Sequence, residues 1–183
     1  MRVDIRIAGS GGQGLQWMAN AIVLAAVEFS DLHAAQSASY GSATRGGYSR
    51  GDVVVCDYPV DYPWLMSADF LVCRDQRAFD TDICALKPEG TLLVESAIVR
   101  PDDAYQSRVL SIPAIEMAEK AAGDAKYGGP VILGVMDSLI HWLRPGALEK
   151  AVETLSPPKA KEENMLAFAV GSEHGALLPE ESL

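Results

Sequence analysis

Cysteine and positive charge are both scarce in this sequence. Its 183 residues include three cysteines and 15 lysines and arginines, against 25 acidic residues, and no Cys-x-x-Cys pair occurs. This pattern predicts that the chain holds no iron–sulfur cluster by itself. Cys56 and Cys73 lie in β-like runs, which predicts buried thiols in a reducing cytoplasm. The net charge of −10 argues against nucleic acid and against an anionic membrane surface as partners.

Long apolar runs and catalytic motifs are missing too. The longest apolar run, 130–143, contains Asp137 and His141 and is too short to span a bilayer. We expect Asp137 to lie on an exposed face. The first strand begins at residue 3, which leaves no room for a signal peptide and predicts a cytoplasmic protein. The three histidines stand apart from any nucleophile or metal-ligand motif, and no P-loop lysine occurs, so we predict no catalytic residue and no metal site.

The start of the chain carries the clearest pattern. Apolar residues at 3, 5 and 7 alternate with polar ones, which predicts a strand. Glycines follow at 9, 11, 12 and 14, and then an alanine- and leucine-rich helix over about 15–29. A strand, a glycine turn and a helix are typical of nucleotide-binding α/β domains. Free amides at the turn and the positive end of the helix dipole predict a socket for an anion such as a phosphate.

The glycine spacing leaves the identity of that anion open. Gly9-x-Gly11-x-x-Gly14 satisfies the dinucleotide fingerprint, which also needs an acidic residue at the end of the second strand. That strand is predicted near 33–37, and its end reads Gln-Ser-Ala-Ser over 36–39. We therefore favour another phosphate-bearing partner over a nicotinamide or flavin cofactor. A tight turn whose glycines only permit close packing is the structural alternative.

A second loop is predicted to reach the same place. Residues 37–50 are rich in glycine and hydroxyl groups and include Arg45, Arg50 and the pair Gly46-Gly47. Because ligands of parallel sheets bind at the carboxyl ends of the strands, we expect this loop to meet the first one there. Cationic side chains beside a glycine socket suggest an anionic ligand. The alternative is a flexible loop whose arginines pair with surface carboxylates.

Strands alternating with helices along the rest of the chain define the fold class. They predict an α/β protein with a single Rossmann-like, three-layer α/β/α domain over residues 1–175 and a mainly parallel sheet. We predict a turn at 88–90, a loop at 127–130, a buried helix over 131–143 and a last helix near 161–171. Residues 176–183 are predicted to be an exposed acidic tail.

Four segments together resemble a known family. Ile5–Gly14, Ser39–Gly47, Val53–Val55 and Glu163–Gly171 are similar to the gamma subunit of thiamine-diphosphate-dependent 2-oxoacid:ferredoxin oxidoreductases, and the resemblance covers about residues 3–171. Gly-Gly-Gln-Gly followed later by Arg-Gly-Gly is far more specific than the glycine spacing alone. The sequence departs from the family where the apolar helix opens. Gly129-Pro130-Val131 stands where the family often has an asparagine.

The resemblance implies a subunit rather than a complete enzyme. It implies a complex that decarboxylates a 2-oxoacid to an acyl-CoA and passes electrons to ferredoxin or another acceptor. Thiamine diphosphate and iron–sulfur clusters would lie in partner chains, namely alpha and beta subunits and, as a further candidate, a ferredoxin-like delta chain. This chain would hold none of these cofactors alone, would be inactive in isolation, and would contact coenzyme A.

Ten loop residues are the candidates for binding coenzyme A or an adjoining subunit: Gly9, Gly11, Gly12, Gln13, Gly14, Ser39, Tyr40, Arg45, Gly46 and Gly47. Two other functions stay open at this point. The chain could be a free-standing Rossmann-type nucleotide-binding oxidoreductase, or a purely structural subunit. The identity of the 2-oxoacid is open as well.

Overall fold

The computed structural model describes residues 1–40, 46–102 and 109–178. These residues form a six-stranded sheet whose strands are β1 Arg2–Ser10, β2 His33–Tyr40, β3 Tyr48–Cys56, β4 Ala68–Cys73, β5 Leu86–Glu95 and β6 Val109–Ile112. The α-helices in the described residues are α1 Leu15–Ser30, α2 Gln76–Asp82, α3 Ala114–Ala122, α4 Gly128–Leu139, α5 Ala147–Leu155 and α6 Lys161–Ala176.

The sheet is mainly parallel, which confirms the predicted α/β fold. Its strand order is β2-β3-β1-β4-β5-β6. β3 runs antiparallel to both of its neighbours, whereas β1, β4, β5 and β6 pair in parallel. The carboxyl ends of β1 and β2 and the beginning of β3 therefore lie at one edge of the sheet. The two glycine-containing loops are attached at that edge.

Helices cover the two faces of the sheet unequally. The larger apolar core lies between one face and the helices α1, α3, α4, α5 and α6. The smaller core lies on the other face, where α2 packs over β1 and β4. Cys56 and Cys73 are buried in the strands as predicted, and Cys84 is exposed.

Helices α4 and α6 approach each other so closely that glycine is required at the contact. A Cβ atom on Gly171 would lie 2.0 Å from the carbonyl oxygen of Val131, and one on Gly134 would lie 2.1 Å from that of Phe168. Real Cβ atoms do not come so near to a backbone oxygen. Side chains at either position would push the two helices apart, so these glycines set the helix spacing.

Asp4 and Arg6 of β1 are buried, although the alternating pattern of the strand suggests a face in water. The guanidinium of Arg6 donates two hydrogen bonds of 2.8 Å to the carboxylate of Asp52 and one of 3.0 Å to that of Asp82. Tyr48 donates its hydroxyl to Asp82 as well, and burial together with this carboxylate raises the pKa of Tyr48 to about 12. The cluster ties β1, β3 and the end of α2 together within the smaller core.

Some predicted element boundaries are wrong. The predicted turn at 88–90 lies within β5, which pairs with β4 through an irregular register. The predicted loop at 127–130 contains the first turn of α4, where Pro130 is tolerated because the first amides of a helix have no internal acceptor. The helix predicted over 131–143 ends at 139.

The last helix is longer than predicted. It continues to Ala176, because Gly175 is buried against Ser138 and Val135 of α4. Of the predicted tail 176–183, residues 179–183 lie outside the described residues.

Candidate functional site

The first glycine loop forms an uncapped start of helix α1. Gly12 and Gly14 have φ angles of 99° and 75°, in the left-handed region that favours glycine. Gly14 is the N-cap residue of α1, and no side chain caps the helix there. The first amides of α1 therefore remain available to an acceptor outside the helix, at the end where the helix dipole favours negative charge.

The two glycine loops are joined by a backbone hydrogen bond. The amide of Gly11 donates to the carbonyl oxygen of Gly47 at 2.9 Å, so the loops lie together as the sequence predicts. Gly46 has a φ of 68°, which allows the tight return of the chain into β3. Arg45 lies outside the described residues.

A cavity of about 320 Å³ lies beside the hydrogen bond that joins the two loops. Its walls combine the loop backbone with two aromatic side chains, one polar side chain from β3 and the first residues of α1, and the lining is formed by Gly11, Gly12, Gly14, Leu15, Gln16, Trp17, Tyr40 and Ser49. Tyr40 is 71% exposed although it is aromatic. Amides for an anion and aromatic rings for a flat ring system are thus presented together.

Five of the predicted binding residues that the structure describes do not line this cavity, namely Gly9, Gln13, Ser39, Gly46 and Gly47. Gly9 is buried behind the loop, where a Cβ atom would lie 2.3 Å from Oε1 of Gln13. Gln13 turns its side chain inward, and its Oε1 accepts a hydrogen bond of 2.8 Å from the amide of Ser10. Ser39 is exposed, and its carbonyl oxygen accepts a hydrogen bond of 3.2 Å from the hydroxyl of Ser49. Gly9 and Gln13 therefore shape the loop from behind.

A second cavity, of about 210 Å³, lies on the other side of Gly14 and Trp17. It is lined by the starts of three helices, α1, α4 and α6, and by a surface lysine. The lining consists of Gln13, Gly14, Trp17, Lys126, Tyr127, Gly129, Pro130, Ala160 and Asn164. No side chain caps α4, which begins at this wall. Sequence reasoning missed this cavity because it predicted a loop at 127–130. A prediction that a helix begins at residue 128 would have indicated a second helix N-terminus, with its positive dipole end, at this place.

The loop rests on a buried arginine that sequence reasoning also missed. Arg74 follows β4 directly, is 4% exposed, and donates from Nη1 to the carbonyl oxygen of Gln13 at 3.1 Å. Burial lowers the pKa of this guanidinium, although the field of Glu95 opposes the effect. Nothing in the local pattern of the sequence distinguishes Arg74 from a surface arginine at the end of a strand.

The remaining ionisable groups do not assemble a catalytic or metal site in the described residues. Within that part of the chain, no group of three or more His, Cys, Asp or Glu side chains is placed to hold a metal ion. Asp137 is half-buried rather than exposed as predicted, and burial together with Glu149 raises its pKa. Among the described helices, none has the length and apolar character needed to cross a membrane.

A protein family and a known relative both match nearly the whole chain. The family described as pyruvate ferredoxin/flavodoxin oxidoreductase matches residues 4–174. The 2-oxoglutarate synthase subunit KorC of Methanothermobacter marburgensis is 36% identical over 179 residues, which cover 94% of this chain and 96% of that protein.

Two solved structures share the fold. The gamma subunit of a keto/oxoacid ferredoxin oxidoreductase from Geobacter sulfurreducens has a TM-score of 0.83 and 33% identity, and the match covers 96% of this chain and 97% of that one. A 2-oxoglutarate:ferredoxin oxidoreductase from Magnetococcus marinus, solved with 2-oxoglutarate, coenzyme A and succinyl-CoA bound, has a TM-score of 0.80. At 18% identity, over 98% of this chain and 32% of that one, this second likeness concerns the fold alone.

Proposed function

Because the chain belongs to the pyruvate ferredoxin/flavodoxin oxidoreductase family, we propose that it is the gamma subunit of a 2-oxoglutarate:ferredoxin oxidoreductase complex. In this role it binds coenzyme A for a reaction that converts a 2-oxoacid, coenzyme A and oxidised ferredoxin into an acyl-CoA, carbon dioxide and reduced ferredoxin. The KorC subunit and the Geobacter sulfurreducens gamma subunit support the assignment by similarity over 96% and 97% of their length. The name of the KorC subunit points to 2-oxoglutarate among the 2-oxoacids.

The hydrogen bond between the two glycine loops is the observation that carries the proposed role in coenzyme A binding. The hydrogen bond from Gly11 to Gly47 brings two glycine segments to the uncapped start of α1. Coenzyme A carries a pyrophosphate, a further phosphate and an adenine ring, and the 320 Å³ cavity offers amides beside Trp17 and Tyr40. Phosphates fit the amides and the helix dipole, and an adenine ring fits the aromatic side chains.

Thiamine diphosphate and iron–sulfur clusters belong to partner subunits in this proposal. An alpha and a beta subunit, with a ferredoxin-like chain as a further candidate, would supply the site of decarboxylation and the electron path. The present chain contributes a binding surface at the carboxyl edge of its sheet. We propose a cytoplasmic location.

A charge placed in the socket tests the proposal. A Cβ atom on Gly11 would meet only the oxygen of Gly47 at 3.6 Å, so a side chain can be accommodated there. We compare Gly11→Asp with the equally sized Gly11→Asn in the assembled complex, with a viologen dye as electron acceptor. A carboxylate about 5 Å from a phosphate costs roughly 1–3 kcal/mol, which predicts a KM for coenzyme A about tenfold higher for Asp than for Asn.

The outcome separates the candidate functions. Equal KM values for coenzyme A in the two variants would favour a purely structural subunit. A tightly bound nicotinamide or flavin on the purified chain would favour a free-standing oxidoreductase. The same assay identifies the 2-oxoacid, since we expect kcat/KM to be at least about tenfold higher for 2-oxoglutarate than for pyruvate or a branched-chain 2-oxoacid.

A further inference from the structure

Arg74 is connected to the glycine loop by reciprocal hydrogen bonds. Its Nη1 donates to the carbonyl oxygen of Gln13 at 3.1 Å, and Nε2 of Gln13 donates to the carbonyl oxygen of Arg74 at 3.4 Å. The other amide atom of Gln13, Oε1, accepts from the amide of Ser10 at 2.8 Å. The guanidinium therefore holds the middle of the loop, and the start of α1 follows directly after it.

No carboxylate of the described residues is in contact with the buried charge of Arg74. Among the described residues, its Nε has no hydrogen-bond partner, and the side chain forms no ion pair. Glu95 is fully buried nearby, but its carboxylate accepts the amides of Ala97 at 3.3 Å and Ile115 at 3.1 Å. Burial raises the pKa of Glu95, although its two amide donors and the field of Arg74 oppose this effect. A buried cation of this kind calls for a negative charge from elsewhere.

The start of α4 is shaped around the guanidinium. A Cβ atom on Gly128 would lie 2.7 Å from Nη2 of Arg74, and one on Gly129 would lie 3.6 Å from Nη1. Two glycines thus make room for Arg74 at the position where the sequence departs from the family pattern. Because α4 and α1 both begin here without a side-chain cap, two helix dipoles add positive potential to that of the guanidinium.

We propose that Arg74 is the buried positioning residue of the coenzyme A socket: it fixes the glycine loop through Gln13, and a phosphate of coenzyme A balances its charge. The inference rests on the proposed function and extends it to a residue outside both glycine loops. The phosphate need not touch the guanidinium, because the low-dielectric surroundings transmit the attraction over several ångströms.

The test uses the assembled complex with Arg74→Met and Arg74→Lys. Methionine keeps an apolar stem and removes the charge, and we expect the KM for coenzyme A to rise on the order of tenfold to a hundredfold. Lysine keeps the charge but lacks the planar fork of donors that a guanidinium has. The KM for coenzyme A of Arg74→Lys should therefore lie between those of the wild type and Arg74→Met. The kcat at saturating coenzyme A and the KM for 2-oxoglutarate should stay within about twofold of the wild type.

Arg77→Met is the matched control. Arg77 lies three positions further on, is exposed, and has its guanidinium over the ring of Tyr48 at 5.8 Å, so its removal should leave all three constants unchanged. The melting temperature separates binding from a structural role. Removal of an unpaired buried charge should leave it unchanged or raise it while coenzyme A binding weakens.

Each result decides between distinct claims. A wild-type complex that neither binds nor consumes coenzyme A would overturn the proposed function itself. A normal wild type together with an unchanged KM for coenzyme A in Arg74→Met would overturn only the role of Arg74. That role would equally be overturned if Arg74→Met lowered the melting temperature and affected both substrates in proportion, because this pattern indicates a structural residue.

Discussion

Replacement of Arg6 by methionine tests whether the buried ion cluster stabilises the sheet. The change keeps an apolar stem and deletes three charge-assisted hydrogen bonds, two to Asp52 and one to Asp82. The side chains of Arg6, Asp52 and Asp82 are 9%, 8% and 1% exposed, so water cannot take the place of the cation. Removal of one partner from a buried ion pair typically costs about 3–5 kcal/mol.

Arg50 determines where within this range the loss of unfolding free energy in Arg6→Met should lie. Its side chain is 34% exposed and lies 3.5 Å from Asp82 and 3.9 Å from Asp52, so it can compensate part of the lost charge. We therefore expect the free energy of unfolding to fall by about 3 kcal/mol, the lower end of the range. Urea titration should show a lower midpoint with an unchanged m value, because the cluster does not alter the surface exposed on unfolding.

Two further variants make the measurement decisive. Arg144→Met removes an exposed cation whose pair with Asp31 spans 3.4 Å, and it should cost less than about 0.5 kcal/mol. Adding Asp52→Asn to Arg6→Met should restore about 1 kcal/mol, because it neutralises one of the two stranded carboxylates. A loss below about 1 kcal/mol in Arg6→Met, or no recovery in the double variant, would refute our account of the cluster.

Three shorter predictions concern packing, pH and the cavity. Gly171→Ala should lower the melting temperature by several degrees, because its Cβ would lie 2.0 Å from a backbone oxygen of α4, whereas Ala169→Ser on an exposed position of α6 should not. Asp137→Asn should stabilise the fold at pH 7. Because burial raises the pKa of Asp137, the cost of its charge grows as pH rises above the ordinary value of 3.8, and the difference from the wild type in urea titrations should vanish near pH 4. Tyr40→Ala should raise the KM for coenzyme A several-fold without loss of stability, while Tyr40→Phe should not; equal values would contradict a stacking role.

The sequence was sufficient for the fold class and for the meeting of the two glycine loops. Apolar alternation in β1 and the glycines at 9–14 are local patterns, and they depend on backbone geometry that any surrounding structure must satisfy. β1 and β2 run in the same direction on either side of the antiparallel β3, so their carboxyl ends lie at the same edge of the sheet. The prediction that the loops after β1 and β2 lie at the same edge of the sheet is therefore confirmed.

Buried charges could not be predicted in the same way. Arg6 and Asp4 alternate with apolar residues, and this pattern normally means one face in water. Here α2 covers that face, and it does so because of contacts made by residues far along the chain, such as Asp82. Arg74 is hidden for the same reason, since only the approach of Gly128 in space reveals that its guanidinium is enclosed.

The reversed strand β3 explains why the socket forms from two loops. In a fully parallel sheet, the chain leaving β2 at the carboxyl edge would have to cross to the opposite edge before the next strand. Because β3 is antiparallel, the chain turns back at the same edge and enters β3 directly beside β1, where Ser10 pairs with Tyr48. The amide of Gly11 therefore finds the carbonyl of Gly47. The ion pair between Arg6 and Asp52 joins β1 and β3 further along the same two strands. The buried charges therefore hold β3, the strand that brings the two loops together, in register with β1.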